Sequence, residues 1–319
     1  MDQLKIFSGS ANRPLAEAIA KYLKMPVGKA ALTQFPDGEL FLKINEDVRG
    51  RDIFIVQSTC SPQNDNLMEL LLFIDAAHRS SAERVTAVMP YYGYARQDRK
   101  DEGRVPISAK LVANLLQTAG ADRVLAVDLH AYQIQGFFDI PLDHLLAEPV
   151  IVQHYRDMGI EDLAVVSPDV GNVKIARVYA GILGGELAII DKERLSGRDV
   201  RAGALIGNVE GRNVLMVDDM ITTGSTVAEA AVLLKERGAR DIYVAATHPV
   251  FCKGSVERLR QAPIQAVTVT DSIPLSQEAQ TLENLEVLSL APLLGEAIKR
   301  IHLHQSVSEL FLTHKEATA

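Results

Sequence analysis

Short apolar, β-rich runs alternate with helical patterns along the whole chain, and this alternation restricts the fold more than any other feature of the sequence. The runs predict strands at Leu4–Ser8, Ile53–Gln57, Val85–Met89, Val124–Asp128, Leu163–Ser167, Leu187–Ile190, Val214–Val217, Ile242–Thr247 and Ala266–Thr270. The segments between them predict helices at Arg13–Leu23, Asn66–Arg79, Ile107–Ala119, Val150–Asp157, Val173–Leu183, Thr226–Arg237 and Pro292–Arg300. Strand–helix–strand succession implies an α/β fold of mainly parallel sheets flanked by helices. In such sheets, ligands sit at the carboxyl ends of the strands. At 319 residues the chain is long enough for two ordinary domains.

The two halves echo each other. Gly50-Arg51-Asp52-Ile53 matches Gly211-Arg212-Asn213-Val214, Ser8-Gly9-Ser10 matches Ser167-Pro168-Asp169, and Glu83-Arg84-Val85 matches Arg240-Asp241-Ile242. All three offsets are about 160 residues. A duplicated α/β domain explains this spacing, and so does the similar strand spacing of any two α/β halves. The boundary is expected around Glu148-Pro149, which divides the chain into 1–147, 148–300 and a C-terminal segment, 301–319, that packs back near the first domain.

Composition narrows the class. A hydrophobic content of 47% is that of a globular protein, and a net charge of −8 without a basic stripe argues against nucleic-acid binding. Cys60 and Cys252 are too few for a disulfide framework and lack metal-ligand spacing, as in a cytoplasmic protein. No apolar run reaches membrane-spanning length. Met1-Asp2-Gln3-Leu4-Lys5 enters a strand at once, so no signal peptide is expected.

The stretch from Asn213 to Thr226 carries the clearest chemistry. An apolar strand runs into Asp218 and Asp219, then into Thr222-Thr223-Gly224-Ser225-Thr226, then into a helix. A helix start presents unpaired N–H groups and positive dipole to an anion. Gly224 allows close backbone approach, and four hydroxyls add donors. The two carboxylates suit vicinal sugar hydroxyls or a nearby metal. Together these features describe a sugar phosphate site, in preference to a capped surface turn.

Other stations are less specific singly. Phe35-Pro36-Asp37-Gly38-Glu39 reads as an ordinary turn. Tyr91-Tyr92-Gly93-Tyr94-Ala95-Arg96-Gln97-Asp98-Arg99-Lys100 sets aromatics beside cations after a strand, where rings could stack on a base and guanidinium groups grip a polyphosphate. His130 and Asp169 each follow a strand and are candidates to share Mg²⁺ with phosphates, although a lone histidine is more often structural. Lys192 and Arg194 precede Leu195–Ile206, a glycine-bearing segment without amphipathic period. It reads either as a mobile loop closing over polyphosphate or as an exposed hairpin tip.

Taken in order, these stations resemble the ribose-phosphate pyrophosphokinase family, within the phosphoribosyltransferase-like superfamily. The resemblance runs from Lys5-Ile6-Phe7-Ser8-Gly9-Ser10 to Ser306-Val307-Ser308-Glu309-Leu310-Phe311. Its most specific stretches are Asp65–Leu70, Tyr94–Asp98, Pro106–Lys110, Asp128–His130 with Gln133–Phe138, and Val217–Met220. It implies two similar phosphoribosyltransferase-type domains. It also implies Mg²⁺-dependent transfer of pyrophosphate from ATP to the 1-hydroxyl of ribose 5-phosphate, and a homo-oligomer, a hexamer built from dimers.

By the same resemblance, Phe35, Asp37, Gly38, Glu39, Arg96 and Gln97 bind ATP, and His130 and Asp169 are the metal positions. Lys192 and Arg194 are catalytic. Arg194, Asp218, Asp219, Thr222, Thr223, Gly224, Ser225 and Thr226 bind ribose 5-phosphate. Arg49, Ser81, Arg104, Ser306 and Ser308 match a regulatory phosphate site. The chain departs from the pattern at Thr222, where related synthetases carry aspartate, and at Asp47, where relatives place a small neutral residue. Two alternatives keep the same turn: a phosphoribosyltransferase, which consumes the product, and a non-catalytic regulatory relative. The first-half ATP stations count against the former, and the presence of Lys192, Arg194, Asp218 and Asp219 against the latter.

Overall fold

The computed structural model describes residues 3–169, 171–194, 200–308 and 310, without the side chains of 192–194 and 200–203. The chain divides into two compact units. The first holds the residues up to Leu146 together with Ser272–Pro274 and Leu290–Leu310, and the second holds Ala147–Asp271 and Leu275–Ser289.

In the first unit, β1 (Leu4–Ser8), α1 (Arg13–Tyr22), β2 (Ala30–Gln34), β3 (Leu40–Ile44), β4 (Asp52–Val56), α2 (Gln63–Arg79), β5 (Arg84–Met89), α3 (Ser108–Ala119), β6 (Arg123–Val127) and β7 (Leu142–Leu145) follow in order. The sheet order is β1-β4-β5-β6-β7, parallel throughout, and β2-β3 form a separate antiparallel ribbon. In the second unit come α4 (Glu148–Met158), β8 (Leu163–Ser167), α5 (Val173–Leu183), β9 (Glu186–Arg194), β10 (Val200–Ile206), β11 (Asn213–Ile221), α6 (Ser225–Glu236), β12 (Ile242–Pro249), α7 (Ser255–Gln261), β13 (Ala266–Thr270) and β14 (Leu285–Leu288). Its sheet order is β10-β9-β8-β11-β12-β13-β14, with only the β9–β10 pairing antiparallel.

Strands β4 and β8 are buried at every position, as strands covered on both faces must be. Ile53, Ile55 and Val85 pack with Leu70, Phe73 and Val112 of the covering helices in one unit. Val166, Met216 and Val244 pack with Ala230, Leu234 and Leu259 in the other.

Two of the three sequence echoes fall on strand entries, at β4 and β11 and at β5 and β12, and the third falls on the ends of β1 and β8. Gly50 donates to Ser81 O and Gly211 to Gly238 O, both at 2.8 Å. Arg51 N reaches Val48 O and Arg212 N reaches Val209 O, both at 3.1 Å. Gly50 and Gly211 both have positive φ, 63° and 70°, which favours glycine. The resemblance between the halves is therefore one of backbone geometry and not of strand spacing alone.

The units divide the chain differently from the expected 148–300 and 301–319 segments. Helix α8 (Ala291–His302) belongs wholly to the first unit. Gly295 lies against α1, where a Cβ would come within 2.4 Å of the Tyr22 ring. Asp52, nearly buried, pairs with Arg84 through Nε at 2.8 Å and meets His302 Nδ1 at 2.8 Å, which ties the end of α8 to β4 and β5.

Residues 200–206, expected within either a mobile loop or an exposed hairpin, form β10 antiparallel to β9, with a register shift between Ala202 and Leu205. The ribbon β2-β3 and the strands β7, β10 and β14 were not predicted, nor was α7. Among the described residues, no helix is long and apolar enough to cross a membrane.

Candidate active site

Strand β11 carries its two carboxylates to the end of the second sheet. Val214–Val217 are buried, and Asp218 and Asp219 are the first half-buried positions that follow. After Ile221 the chain turns through Thr222 and Thr223 to Gly224, which caps α6 in the left-handed region at φ 73°. A side chain there would be strained, and its Cβ would stand 3.3 Å from Ser255 O. Thr222, Ser225 and Thr226 are half-buried, and Thr223 is exposed. The hydroxyls of Thr223 and Ser225 meet at 2.8 Å.

Asp218 is the most perturbed group of this turn. Its Oδ1 accepts from Asn172 Nδ2 at 2.6 Å and from Asp219 N at 2.8 Å. Loss of water around the carboxyl, followed by the charge of Asp219 and then that of Asp169, pushes its pKa well above the usual carboxylate range. Such a pair favours partners that stabilise its ionised form, namely hydroxyl donors or a cation.

Asp169 Oδ1 accepts from Gly171 N at 2.8 Å and Asn172 N at 3.1 Å, so it caps the approach to α5. Asn172 therefore links Asp169 to Asp218, and the sequence reading missed it. The usable signal was an amide three residues after an acid at a helix start.

In the first unit, Phe35–Glu39 form the tip of the β2-β3 ribbon. Phe35 N donates to Glu39 O at 2.8 Å, Asp37 Oδ1 accepts from Glu39 N at 3.2 Å, and Gly38 has φ 96°. Phe35 is exposed and lies edge-on to Phe41, with ring centroids 5.7 Å apart. An exposed aromatic beside two acids provides a hydrophobic face with polar edges.

Arg96 and Gln97 are exposed after β5. The Gln97 side chain accepts from Ser108 Oγ and its carbonyl from Ala109 N at 3.2 Å, both at the start of α3. Tyr91 and Tyr92, expected among rings that stack on a base, are buried instead, and Tyr92 donates its hydroxyl to Ala109 O at 2.9 Å. Of the three tyrosines of this run, only Tyr94 is exposed.

His130 is exposed after β6 in the first unit, whereas Asp169 belongs to the second. Among the described residues, no group of three or more His, Cys, Asp or Glu side chains is arranged to hold a metal. The backbones of Lys192 and Arg194 lie on β9, and their side chains fall outside the described residues. Arg49 Nη1 donates to Ser81 Oγ at 3.0 Å, and Asp47 Oδ1 accepts from Arg49 N at 3.1 Å. Arg104 is exposed with φ 66°, Ser306 accepts from Arg300 through its carbonyl at 2.9 Å, and Ser308 is exposed.

Comparison with known proteins identifies the family of the chain. Residues 4–120 match the N-terminal domain of ribose phosphate pyrophosphokinase, and residues 201–312 match the phosphoribosyl synthetase-associated domain. A ribose-phosphate pyrophosphokinase of Rhodopirellula baltica is 58% identical over 314 residues, covering 98% of this chain and 99% of its own. That of Chromobacterium violaceum is 51% identical, covering 99% and 97%. The crystal structure of phosphoribosylpyrophosphate synthetase from Mycobacterium smegmatis superposes with a TM-score of 0.88 at 44% identity, covering 95% of this chain and 99% of that one. With relatives this similar over nearly its full length, the chain belongs to the ribose-phosphate pyrophosphokinase family.

Proposed function

We propose that the chain transfers the pyrophosphoryl group of ATP to the 1-hydroxyl of ribose 5-phosphate, giving phosphoribosyl pyrophosphate and AMP for nucleotide biosynthesis. The observation that carries the reading is the acidic end of β11 running into the Gly224-capped start of α6, in a chain of this family. Asp218 and Asp219 accept hydrogen bonds from the sugar hydroxyls. The turn Thr222–Thr226 takes the 5-phosphate on its N–H and hydroxyl donors. The 1-hydroxyl oxygen bonds to the β-phosphorus and loses its proton to solvent, while the bond from that phosphorus to the bridging oxygen breaks and AMP leaves with that oxygen. Transfer of this kind depends on positioning and charge neutralisation.

Phe35, Asp37, Gly38 and Glu39 form the adenine pocket in this reading, and Arg96 and Gln97 hold the remainder of ATP. Lys192 and Arg194 meet charge on the transferring group. Mg²⁺, which prefers oxygen donors and commonly takes one or two carboxylates beside substrate phosphates, fits a site with few protein ligands. Its positions are Asp169, which offers a carboxylate oxygen, and His130. When bound, it neutralises phosphate charge. The active form is a homo-oligomer, a hexamer, in the cytoplasm. Arg49, Ser81, Arg104, Ser306 and Ser308 bind a regulatory phosphate, with Asp47 weakening that affinity by repulsion.

Incubation with ATP, Mg²⁺ and ribose 5-phosphate tests the reading, and the expected products are AMP and phosphoribosyl pyrophosphate. Release of ADP, or consumption of phosphoribosyl pyrophosphate with a free base and no use of ATP, would overturn it.

A further inference from the structure

The turn after β11 is held from one side. The Ile221 carbonyl accepts from Phe251 N at 3.0 Å and the Thr222 carbonyl from Cys252 N at 2.9 Å. The Thr223 carbonyl accepts from Arg258 Nη1 at 2.8 Å. Three successive carbonyls thus face the segment that leads from β12 into α7. In a trans peptide, the C=O and the N–H of the next residue point in opposite directions. The N–H groups of Thr222, Thr223 and Gly224 therefore face away from that segment, as a row. Successive N–H groups turned one way form an anion-binding concavity.

The first two carbonyls are held by backbone donors, which most side chains at those positions would allow. The third is held by a side chain, and the peptide it fixes is the one that enters Gly224. Gly224 lies close against α7, with the place of its missing Cβ 3.3 Å from Ser255 O and 3.6 Å from Leu259 Cγ. The guanidinium on one end of this peptide also polarises it, which strengthens donation by the N–H on the other end.

We propose that Arg258 is a positioning residue for the 5-phosphate of ribose 5-phosphate: by holding the Thr223 carbonyl it aims the Gly224 N–H at the phosphate. The proposal rests on the reading that Thr222–Thr226 take that phosphate. It adds that the row of N–H groups is completed from α7, by a residue that does not itself belong to the turn.

Steady-state kinetics of Arg258→Met and Arg258→Lys, beside Asp219→Ala, test it. Arg258→Met is expected to raise the KM for ribose 5-phosphate about tenfold, the effect of losing one charge-assisted hydrogen bond. The KM for ATP should stay within about twofold. Arg258→Lys, which keeps a charged donor, should recover part of the loss, and it carries the test if Arg258→Met does not fold. A merely structural role would move both KM values and kcat together, and that result overturns the proposal. A ribose 5-phosphate KM within about twofold of wild type in both Arg258 variants also overturns it. If Asp219→Ala raises that KM in the same series, the sugar phosphate reading stands and only Arg258 is removed. If Asp219→Ala leaves it unchanged, the sugar phosphate reading falls and the proposal with it.

Discussion

The two units share a parallel core, yet the turn after β4 is closed where the turn after β11 is open. In the first unit, Gln57, Ser58, Thr59 and Cys60 are buried, and their polar atoms serve the protein itself. Gln57 Oε1 accepts from Ala11 N at 3.1 Å, Ser58 Oγ donates to Ser272 O at 2.6 Å, and Thr59 Oγ1 accepts from Gly93 N at 2.7 Å. Burial pushes the Cys60 thiol up to about 11, which keeps it protonated at neutral pH. In the second unit, the equivalent turn leaves Thr222, Ser225 and Thr226 half-buried and Thr223 exposed around a glycine cap.

The helix starts differ in the same way. Asn12 Oδ1 accepts from Leu15 N at 3.4 Å and so caps its own helix, α1, whereas its counterpart Asn172 reaches across to Asp218. The two units share the strand frame, but the polar groups of their turns are used differently. The first turn spends its polar groups on the fold, and the second turn is the one the proposed function gives to a ligand.

The largest expected effect lies on the hairpin that only the second unit adds to its sheet. Lys192→Ala, on β9, should lower kcat on the order of 10²–10³ with much smaller changes in KM, since in the proposed reaction it removes a cation that meets developing charge. Turnover near wild type would break the comparison at the hairpin and remove Lys192 from the mechanism.

An intermediate effect distinguishes the two turns directly. Thr59→Val leaves the buried Gly93 N–H without its acceptor, at a cost of about 1–3 kcal/mol. Thermal melts should show the loss, while the KM for ribose 5-phosphate stays unchanged. A shift in that KM would mean that the first-unit turn is not merely structural.

The parts of this comparison that were legible in the sequence are the local ones. β1, β8 and β13 match their predicted limits: β8 and β13 are continuous buried runs, and β1 buries Leu4, Ile6 and Phe7, each strand being bounded by turn residues. The pair Asp218-Asp219 and Gly224 could be read because the features are adjacent. The ribbon β2-β3 escaped because its strands bury no full face, so the periodic signal is weak. Tyr91 and Tyr92 were misread because sequence shows aromatics beside cations but not that the end of β5 carries them into the core. Asn172 and Arg258 act on partners 46 and 35 residues away, and no local pattern announces such contacts.

The smallest expected effect concerns Asp218. By strand register its first-unit counterpart is Gln57, already a neutral amide. The folded-state pKa of Asp218 lies above its unfolded value, so the folded chain binds the proton more tightly. Stability is therefore lost as pH rises from the ordinary carboxylate range, about 3.9, through the raised folded pKa, and it stays lost above that. Asp218→Asn removes this ionisation while keeping an oxygen for Asn172 Nδ2 and Asp219 N. The variant should melt higher than wild type at pH 8, by about 2–4 °C for each kcal/mol recovered, and the advantage should shrink as pH falls toward 4. Its affinity for ribose 5-phosphate should fall, because an amide is a weaker acceptor for sugar hydroxyls than a carboxylate. A melting advantage that is equal at both pH values would trace the change to packing and not to charge. The second unit would then have kept its acids without a cost in stability, and the contrast with Gln57 would lose its electrostatic basis.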